Sequence, residues 1–176
     1  MTVYILLFRG VGGATQLPTK PLREALTKAG FENAGTYIAS GNAYLKTDVS
    51  RGEMLKKVAA ICKKEFGFEK AIYAPTLAEW KKVIKQNPFP DFKAGNQLHA
   101  VWLDGKPKRE AIEALREFCV DGEAIEVIGT IAYLHTPHGF GRSKFAEKFD
   151  KGIGVPNTAR NWNTVLKLAE LGEAAR

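Results

Sequence analysis

The sequence predicts an α+β protein whose first half has a ferredoxin-like order of elements, the split β-α-β arrangement. Three observations lead to this prediction: short apolar runs typical of buried strands, apolar residues at helical spacing between them, and turn signals at their boundaries. The pattern begins again near residue 96 and stops one strand short, as an incomplete β-α-β-β-α repeat followed by a C-terminal helix. We therefore expect a first half at 1–74, a helical connector at 75–95 and a second half at 96–176.

Local signals define the elements of the first half. Ser50 and Glu53 form a capping box, in which each residue satisfies a backbone amide at the start of a helix. Glycine at the end of a helical pattern predicts its C-terminal stop. The predicted elements are a strand at Val3–Phe8, a helix capped by Thr19 and ended by Gly30, strands at Tyr37–Ala39 and Ala43–Leu45, a helix from Ser50 to Gly67 and a strand at Phe68–Tyr73.

The connector and the second half are predicted in the same way. A second capping box, Thr76 with Glu79, opens a short helix that the prolines of Asn87–Asp91 cannot continue. In the last helix, Trp162, Val165 and Leu166 are predicted to form the buried stripe. The other predicted elements are strands at Leu98–Leu103, Ala124–Val127 and Thr130–Leu134, helices from Pro107 and at Ser143–Phe149, and the last helix from about Ala159 to Leu171.

Composition predicts a cytoplasmic protein without a membrane segment. No apolar stretch approaches the roughly 20 residues that a membrane span requires. Cys62 and Cys119 are the only cysteines, and each falls on the apolar stripe of a predicted helix, so we expect both to be buried and reduced. His135 and His138 lie in a Pro/Gly loop without the spacing of metal ligands, so we expect no metal. The sequence names no cofactor.

Positive charge is concentrated in the N-terminal half. The formal charge is +7; residues 1–90 carry 14 basic and 7 acidic side chains, whereas residues 91–176 carry 12 of each. A positive face of this kind attracts phosphate groups. The alternative is a coat of solvated lysines on amphipathic helices, which serves solubility.

Two polar motifs of the first half are candidate ligand sites. A glycine loop, Arg9–Gly13, follows the first strand and precedes a helix, and successive amides in such a loop can bind an anion. A tight turn without a ligand is the alternative. The second motif, Ser40–Asn42, is also explained by a hairpin turn. The candidate residues are Arg9, Gly10, Gly12, Gly13, Ser40 and Asn42.

Two further motifs lie in the second half. The loop His138–Lys144 leads into a helix start that carries a serine and two cations, a combination suited to a phosphate or carboxylate. In Thr158–Lys167, helical spacing predicts a polar face opposite the apolar stripe. Internal hydrogen bonds that dock this helix are the alternative. The candidate residues are Arg142, Ser143, Lys144, Arg160, Asn161, Asn163 and Lys167.

These motifs together resemble the bacterial domain-of-unknown-function family 1697. The family carries Arg-Gly-x-Asn-Val-Gly-Gly, Thr-Tyr-Ile-x-Ser-Gly-Asn, Gly-x-Gly-x-Ser-Lys and Thr-x-Arg-Asn-Trp-Asn-Thr-Val segments. Here they correspond to Arg9–Gly13, Thr36–Asn42, Gly139–Lys144 and Thr158–Val165, and the first lacks two residues before Val-Gly-Gly. The resemblance implies a duplicated αβ-plait fold and carries no activity with it.

Three classes of function fit these observations. The leading hypothesis is binding of a phosphate-bearing ligand, either nucleic acid or a phosphorylated small molecule. The second is a small group-transfer or hydrolytic enzyme in which Arg9, Ser143, Lys144 and Arg160 stabilise a transferring group. The third is a scaffold that binds a partner protein. Recognition of RNA on the sheet face is disfavoured, because the second central strand lacks the aromatic residues of that signature.

Overall fold

The computed structural model describes residues 1–176 and contains two four-stranded antiparallel sheets and six α-helices. The chain divides into two units. Unit 1 comprises Met1–Lys82 and Lys167–Arg176, and unit 2 comprises Val83–Leu166. Helix α3 (Leu77–Lys85) and helix α6 (Trp162–Ala174) each contribute residues to both units.

Unit 1 contains the first sheet, with its strands in the order β2-β3-β1-β4. Strand β1 is central, and both of its neighbours run antiparallel to it. The elements are β1 (Thr2–Phe8), α1 (Thr19–Lys28), β2 (Glu32–Thr36), β3 (Asn42–Thr47), α2 (Arg51–Phe66) and β4 (Ile72–Tyr73).

The capping box of α2 is confirmed, whereas the predicted Thr19 cap is wrong, because Pro18 occupies the position before α1 and no side chain caps this helix. Ser50 accepts a hydrogen bond from the Glu53 amide, and the Glu53 carboxylate accepts one from the Ser50 amide, so α2 begins at the predicted capping box. Gly67 ends this helix with φ +65°, in the left-handed region that glycine adopts without strain. Cys62 is fully buried on α2, and burial raises the pKa of its thiol to about 12.

Both faces of sheet 1 are covered within unit 1. One face packs on α1 and α2 through residues that include Leu6, Leu22 and Val58. On the other face Ile5 is fully buried. A Cβ added at Gly172 of α6 would lie 3.1 Å from Cδ1 of Ile5 and 2.8 Å from Cδ1 of Leu77. The C-terminal turns of α6 therefore lie against this face, where only glycine permits so close an approach.

Unit 2 contains the second sheet, in the order β6-β7-β5-β8. Its core on the helix side includes Val101, Leu134, Phe145 and Phe149, and Ala100 and Tyr133 of the opposite face are fully buried too. The elements are β5 (Leu98–Leu103), α4 (Arg109–Arg116), β6 (Ala124–Ile128), β7 (Ile131–His135), α5 (Lys144–Gly152) and β8 (Asn157–Asn161).

Strand β8 corrects the prediction of an incomplete second repeat. Asn157–Asn161 pairs antiparallel with β5 along its whole length, so the predicted last helix begins at Trp162 and not near Ala159. Asn161 sets this start, because its side-chain oxygen accepts a hydrogen bond from the Thr164 amide at 2.9 Å. Trp162 and Val165 are buried as predicted, but Leu166 is 46% exposed.

Two smaller predictions are also wrong. Strand β2 ends at Thr36, so Tyr37–Ala39 belongs to the loop before β3 and not to a strand. Cys119 follows α4 in a turn and is half-buried, because the helix stops at Arg116. No helix has the length and apolar character needed to cross a membrane.

Candidate functional site

The glycine loop Arg9–Gly13 lies at one end of sheet 1. Strand β1 ends at Phe8, whose amide donates to the Gly41 carbonyl at 2.9 Å, and the Arg9 amide donates to the Ala71 carbonyl at 3.0 Å. The loop therefore lies between the residues that precede β3 and those that precede β4. Antiparallel pairing produces this arrangement, because the end of β1 meets the beginnings of both neighbouring strands.

The backbone of this loop alternates in handedness. Gly10 and Gly12 have φ of +67° and +133°, Val11 between them has negative φ, and Gly13 has φ +57°. Alternation of this kind turns successive amides toward a common side and forms an anion-binding concavity. A Cβ added at Gly12 or Gly13 would meet no atom within 4 Å, so the backbone there faces open space.

Hydrogen bonding within the loop leaves several of its amides unused. The amides of Gly12 and Thr15 each donate to the carbonyl of the other, at 2.7 and 3.0 Å, and close a short turn. The amides of Gly10, Val11 and Gly13 donate to no acceptor of the protein. These three donors are available to a ligand.

The second motif, Ser40–Asn42, lies beside the glycine loop. Asn42 is 1% exposed, and its Nδ2 donates to the Tyr37 carbonyl and to Oγ of Ser40, both at 3.1 Å. A Cβ on Gly41 would come within 2.7 Å of Cγ2 of Val11. The structure therefore brings the first two motifs together, and the Asn42 side chain stabilises the loop that precedes β3.

Lys70 is a site residue that the sequence reasoning missed. Its exposed ammonium donates to the Gly10 carbonyl at 3.1 Å, so a cation stands at the edge of the loop. The split β-α-β order contained a signal for it: the fourth strand pairs beside the first, and residues preceding the fourth therefore meet residues following the first.

Three amides of the loop His138–Lys144 in unit 2 are hydrogen-bonded within the protein. The amides of Gly139, Arg142 and Ser143 donate to the carbonyls of Thr136, Gly139 and Phe140, at 3.0, 3.3 and 3.2 Å. Ser143 is buried and caps α5, its Oγ accepting from the Ala146 amide at 3.0 Å. Arg142 and Lys144 are exposed beside it.

Arg160 does not lie on the predicted helix face. It belongs to β8 opposite Ala100, is 9% exposed, and donates from Nη1 to Oγ1 of Thr158 at 2.9 Å and to the Ala159 carbonyl at 2.7 Å. Burial lowers the pKa of its guanidinium to about 10. Arg160, Asn163 and Lys167 have helical spacing in the sequence, but they do not share a helix. Arg160 lies in β8, and the other two lie in α6.

The remaining side chains of this motif have contacts within their own units. Asn161 caps α6, and the side chain of Asn163 lies so close to Gly95 that a Cβ there would be 2.1 Å from its Oδ1. Lys167 donates to the Glu170 carboxylate at 2.6 Å, a contact that raises the pKa of the lysine. These contacts favour a docking role for Thr158–Lys167.

The histidines of unit 2 have three different environments. The ring of His99 stacks on Phe140 with centroids 4.0 Å apart, and its buried Nδ1 has no hydrogen-bond partner. Burial lowers the pKa of His99 to about 4, so it is neutral near pH 7. His135 stacks on Phe89, and Nε2 of His138 contacts the Asp121 carbonyl. No group of three or more His, Cys, Asp or Glu side chains is arranged to hold a metal ion.

Comparisons with known proteins place the chain in a family. The model of the family described as "Protein of unknown function (DUF1697)" matches residues 1–133, and the chain belongs to this family. The glycine loop and Ser40–Asn42 lie inside the matched residues, whereas the Ser143 and Arg160 motifs lie beyond them.

A solved structure of similar fold comes from Streptococcus pneumoniae and is described as a conserved bacterial protein. The two are 18% identical, the alignment covers 98% of this chain and 99% of that one, and the TM-score is 0.76. At this identity the likeness shows a shared fold. No curated protein sequence matches the chain.

Proposed function

We propose that the protein binds a phosphate-bearing ligand at the glycine loop of unit 1. The observation that carries the proposal is the set of unused amides at Gly10, Val11 and Gly13, in a backbone of alternating hand. Phosphate oxygens accept hydrogen bonds from such amides without needing a side chain. Lys70 supplies a positive charge at the rim, and Arg9 begins the loop.

The charge distribution supports this choice of unit. Unit 1 carries 15 basic and 9 acidic side chains, a net +6, whereas unit 2 carries 11 and 10, a net +1. A field of this sign over unit 1 raises the local concentration of anions and steers them toward the loop.

The fold proposal is that each unit is a ferredoxin-like αβ-plait module. The strand orders support it, because both sheets follow the same pattern, with the third strand of the unit beside the first and the fourth on the other side. Residues on both faces of each sheet are buried. We therefore propose recognition at a strand end and not on a sheet face, where many proteins of this fold bind RNA.

We place the protein in the cytoplasm. The two free cysteines support this location, because thiols persist in a reducing compartment. Phosphorylated small molecules and nucleic acid are both present there, and the ligand class is taken up below.

The enzyme alternative has less support from the geometry. A transferring group needs reactive side chains that reach it, but the hydroxyl of Ser143 is buried and caps α5. Arg160 is also buried, with hydrogen bonds inside its own strand. No specific contact favours the scaffold alternative over ligand binding.

The proposed function is tested with inorganic pyrophosphate and two lysine variants. Calorimetric titration at low salt should show binding, and Lys70→Gln should weaken it by about three- to tenfold, the effect of one exposed charge contact. Lys28→Gln is the matched control, because it removes an exposed charge from α1 of the same unit. Its affinity should stay within about twofold of the wild type. Absence of pyrophosphate binding, or equal weakening by both variants, would overturn the proposal.

A further inference from the structure

Ile38 has a backbone conformation that its side chain does not favour. It lies in the loop between β2 and β3 with φ +50°, and it is 46% exposed. Left-handed backbone is strained for a β-branched residue, and glycine or asparagine would adopt it more easily. Full burial does not compensate for this strain, because nearly half of the residue is exposed. Neither folding nor packing explains an isoleucine here.

Hydrogen bonds hold the loop around Ile38 in its strained conformation. The amide of Tyr37 donates to the Asn42 carbonyl at 3.0 Å, and the buried Asn42 side chain donates back to the Tyr37 carbonyl and to Ser40. Residues on both sides of Ile38 are therefore fixed from one buried asparagine. Strained residues that persist in such a setting are typical of ligand sites.

This loop borders the proposed phosphate site. Gly41 accepts a hydrogen bond from Phe8 and packs on Val11 of the glycine loop. Ile38 is three residues from Gly41, so its Cα lies within about 11 Å of that contact. An exposed aliphatic side chain and a set of free amides therefore occur in neighbouring loops of unit 1.

We propose that the ligand is a nucleotide, whose phosphates bind the glycine loop and whose base packs on Ile38. This inference rests on the proposed function and adds the ligand class. An aliphatic surface attracts the planar face of a base and gives nothing to a hydroxylated sugar or a bare phosphate. One such side chain beside one loop matches a single nucleotide and offers no series of base sites for a polymer.

The test compares two ligands that share a diphosphate and differ in the base. Adenosine 5′-diphosphate should bind at least about tenfold more tightly than methyl diphosphate, because only the former can cover Ile38. Ile38→Asn should reduce this preference to below about threefold and leave the affinity for methyl diphosphate within about twofold of the wild type. Asparagine accepts left-handed backbone, so the variant keeps the loop conformation.

A matched control is Val120→Asn, which replaces an exposed β-branched side chain of unit 2. It should leave both affinities unchanged, and thermal unfolding should show that Ile38→Asn is at least as stable as the wild type. An unchanged preference in Ile38→Asn would refute the inference while leaving phosphate binding intact. Binding of neither diphosphate would refute the proposed function itself. Preferential binding of a short oligonucleotide over adenosine diphosphate would show that the ligand is a nucleic acid and not a single nucleotide.

Discussion

The two glycine loops of the protein look alike as sequences and differ as structures. In Arg9–Gly13 all three glycines have positive φ, and the amides of Gly10, Val11 and Gly13 have no acceptor in the protein. In His138–Lys144 only Gly139 has positive φ. The amides of Gly139, Arg142 and Ser143 donate to the carbonyls of Thr136, Gly139 and Phe140, and the Ser143 side chain caps the next helix. The alternating hand of the backbone, and not the number of glycines, therefore distinguishes the candidate anion site from the loop that opens a helix.

The polar motifs Ser40–Asn42 and Thr158–Lys167 also differ in their surroundings. The first lies beside a loop with free donors, whereas every polar candidate of Thr158–Lys167 has a contact with its own unit. We therefore expect changes in unit 2 to alter stability and changes at the glycine loop to alter binding.

The largest expected effect is at Trp162. It is 3% exposed and packs against Phe92 and Tyr133, with ring centroids 6.1 and 6.4 Å away. Trp162→Ala should lower the free energy of unfolding by about 3–5 kcal/mol, because it removes a buried aromatic and leaves a cavity. Leu166→Ala on the same helix is the control, and its exposure predicts a change within about 0.5 kcal/mol. Equal losses in chemical denaturation would contradict the observed orientation of α6.

An intermediate effect is expected from His99 at acid pH. Its native pKa is about 4 and its ordinary value is 6.5, so the unfolded chain takes up a proton first as the pH falls. Stability should be unaffected above about pH 6.5 and should decline between about pH 6.5 and 4, by up to about 3 kcal/mol. His99→Leu should remove this part of the pH dependence, whereas His138→Gln should retain it. Superimposable pH profiles of wild type and His99→Leu would show that His99 is not a buried neutral group.

A smaller loss is expected at Arg160. Removing its guanidinium leaves Oγ1 of Thr158 and the Ala159 carbonyl without their donor. Arg160→Ala should therefore cost about 1–3 kcal/mol in chemical denaturation. Pyrophosphate affinity should stay within about twofold of the wild type. If Arg160→Ala had normal stability but weakened pyrophosphate binding, Arg160 would be a ligand-binding residue and not a structural one.

Much of the fold follows from local signals in the sequence. Some signals depend only on residues that are close in sequence, so the sequence pattern reveals them. Examples are the capping box at Ser50, the helix stop at Gly67 and the apolar run of β1. Strand β8 does not follow, because Asn157–Asn161 has no apolar alternation and depends on pairing with β5. The polar residues of β8 and α6 have helical spacing in the sequence, and this spacing led to the wrong prediction of a single helix face.

The candidate site was predictable only in part. Glycines after a strand indicate a special backbone, and both motifs at the end of sheet 1 were found in this way. Ile38 and Lys70 were missed, because the first is distinguished by a backbone angle and the second by the pairing of β4 with β1. The residues around Ile38 do not reveal its backbone angle, and the position of Lys70 follows only from the topology of the whole unit.

The most direct measurement is a nuclear magnetic resonance titration of the labelled protein with inorganic pyrophosphate. We expect the amide signals of Gly10, Val11 and Gly13 to shift together and saturate, because these amides donate to the bound anion. The amides of Gly139 and Ser143 should not shift, since they already donate within the protein. Shifts confined to the unit 2 loop, or signals of the first loop that do not respond, would contradict the central claim.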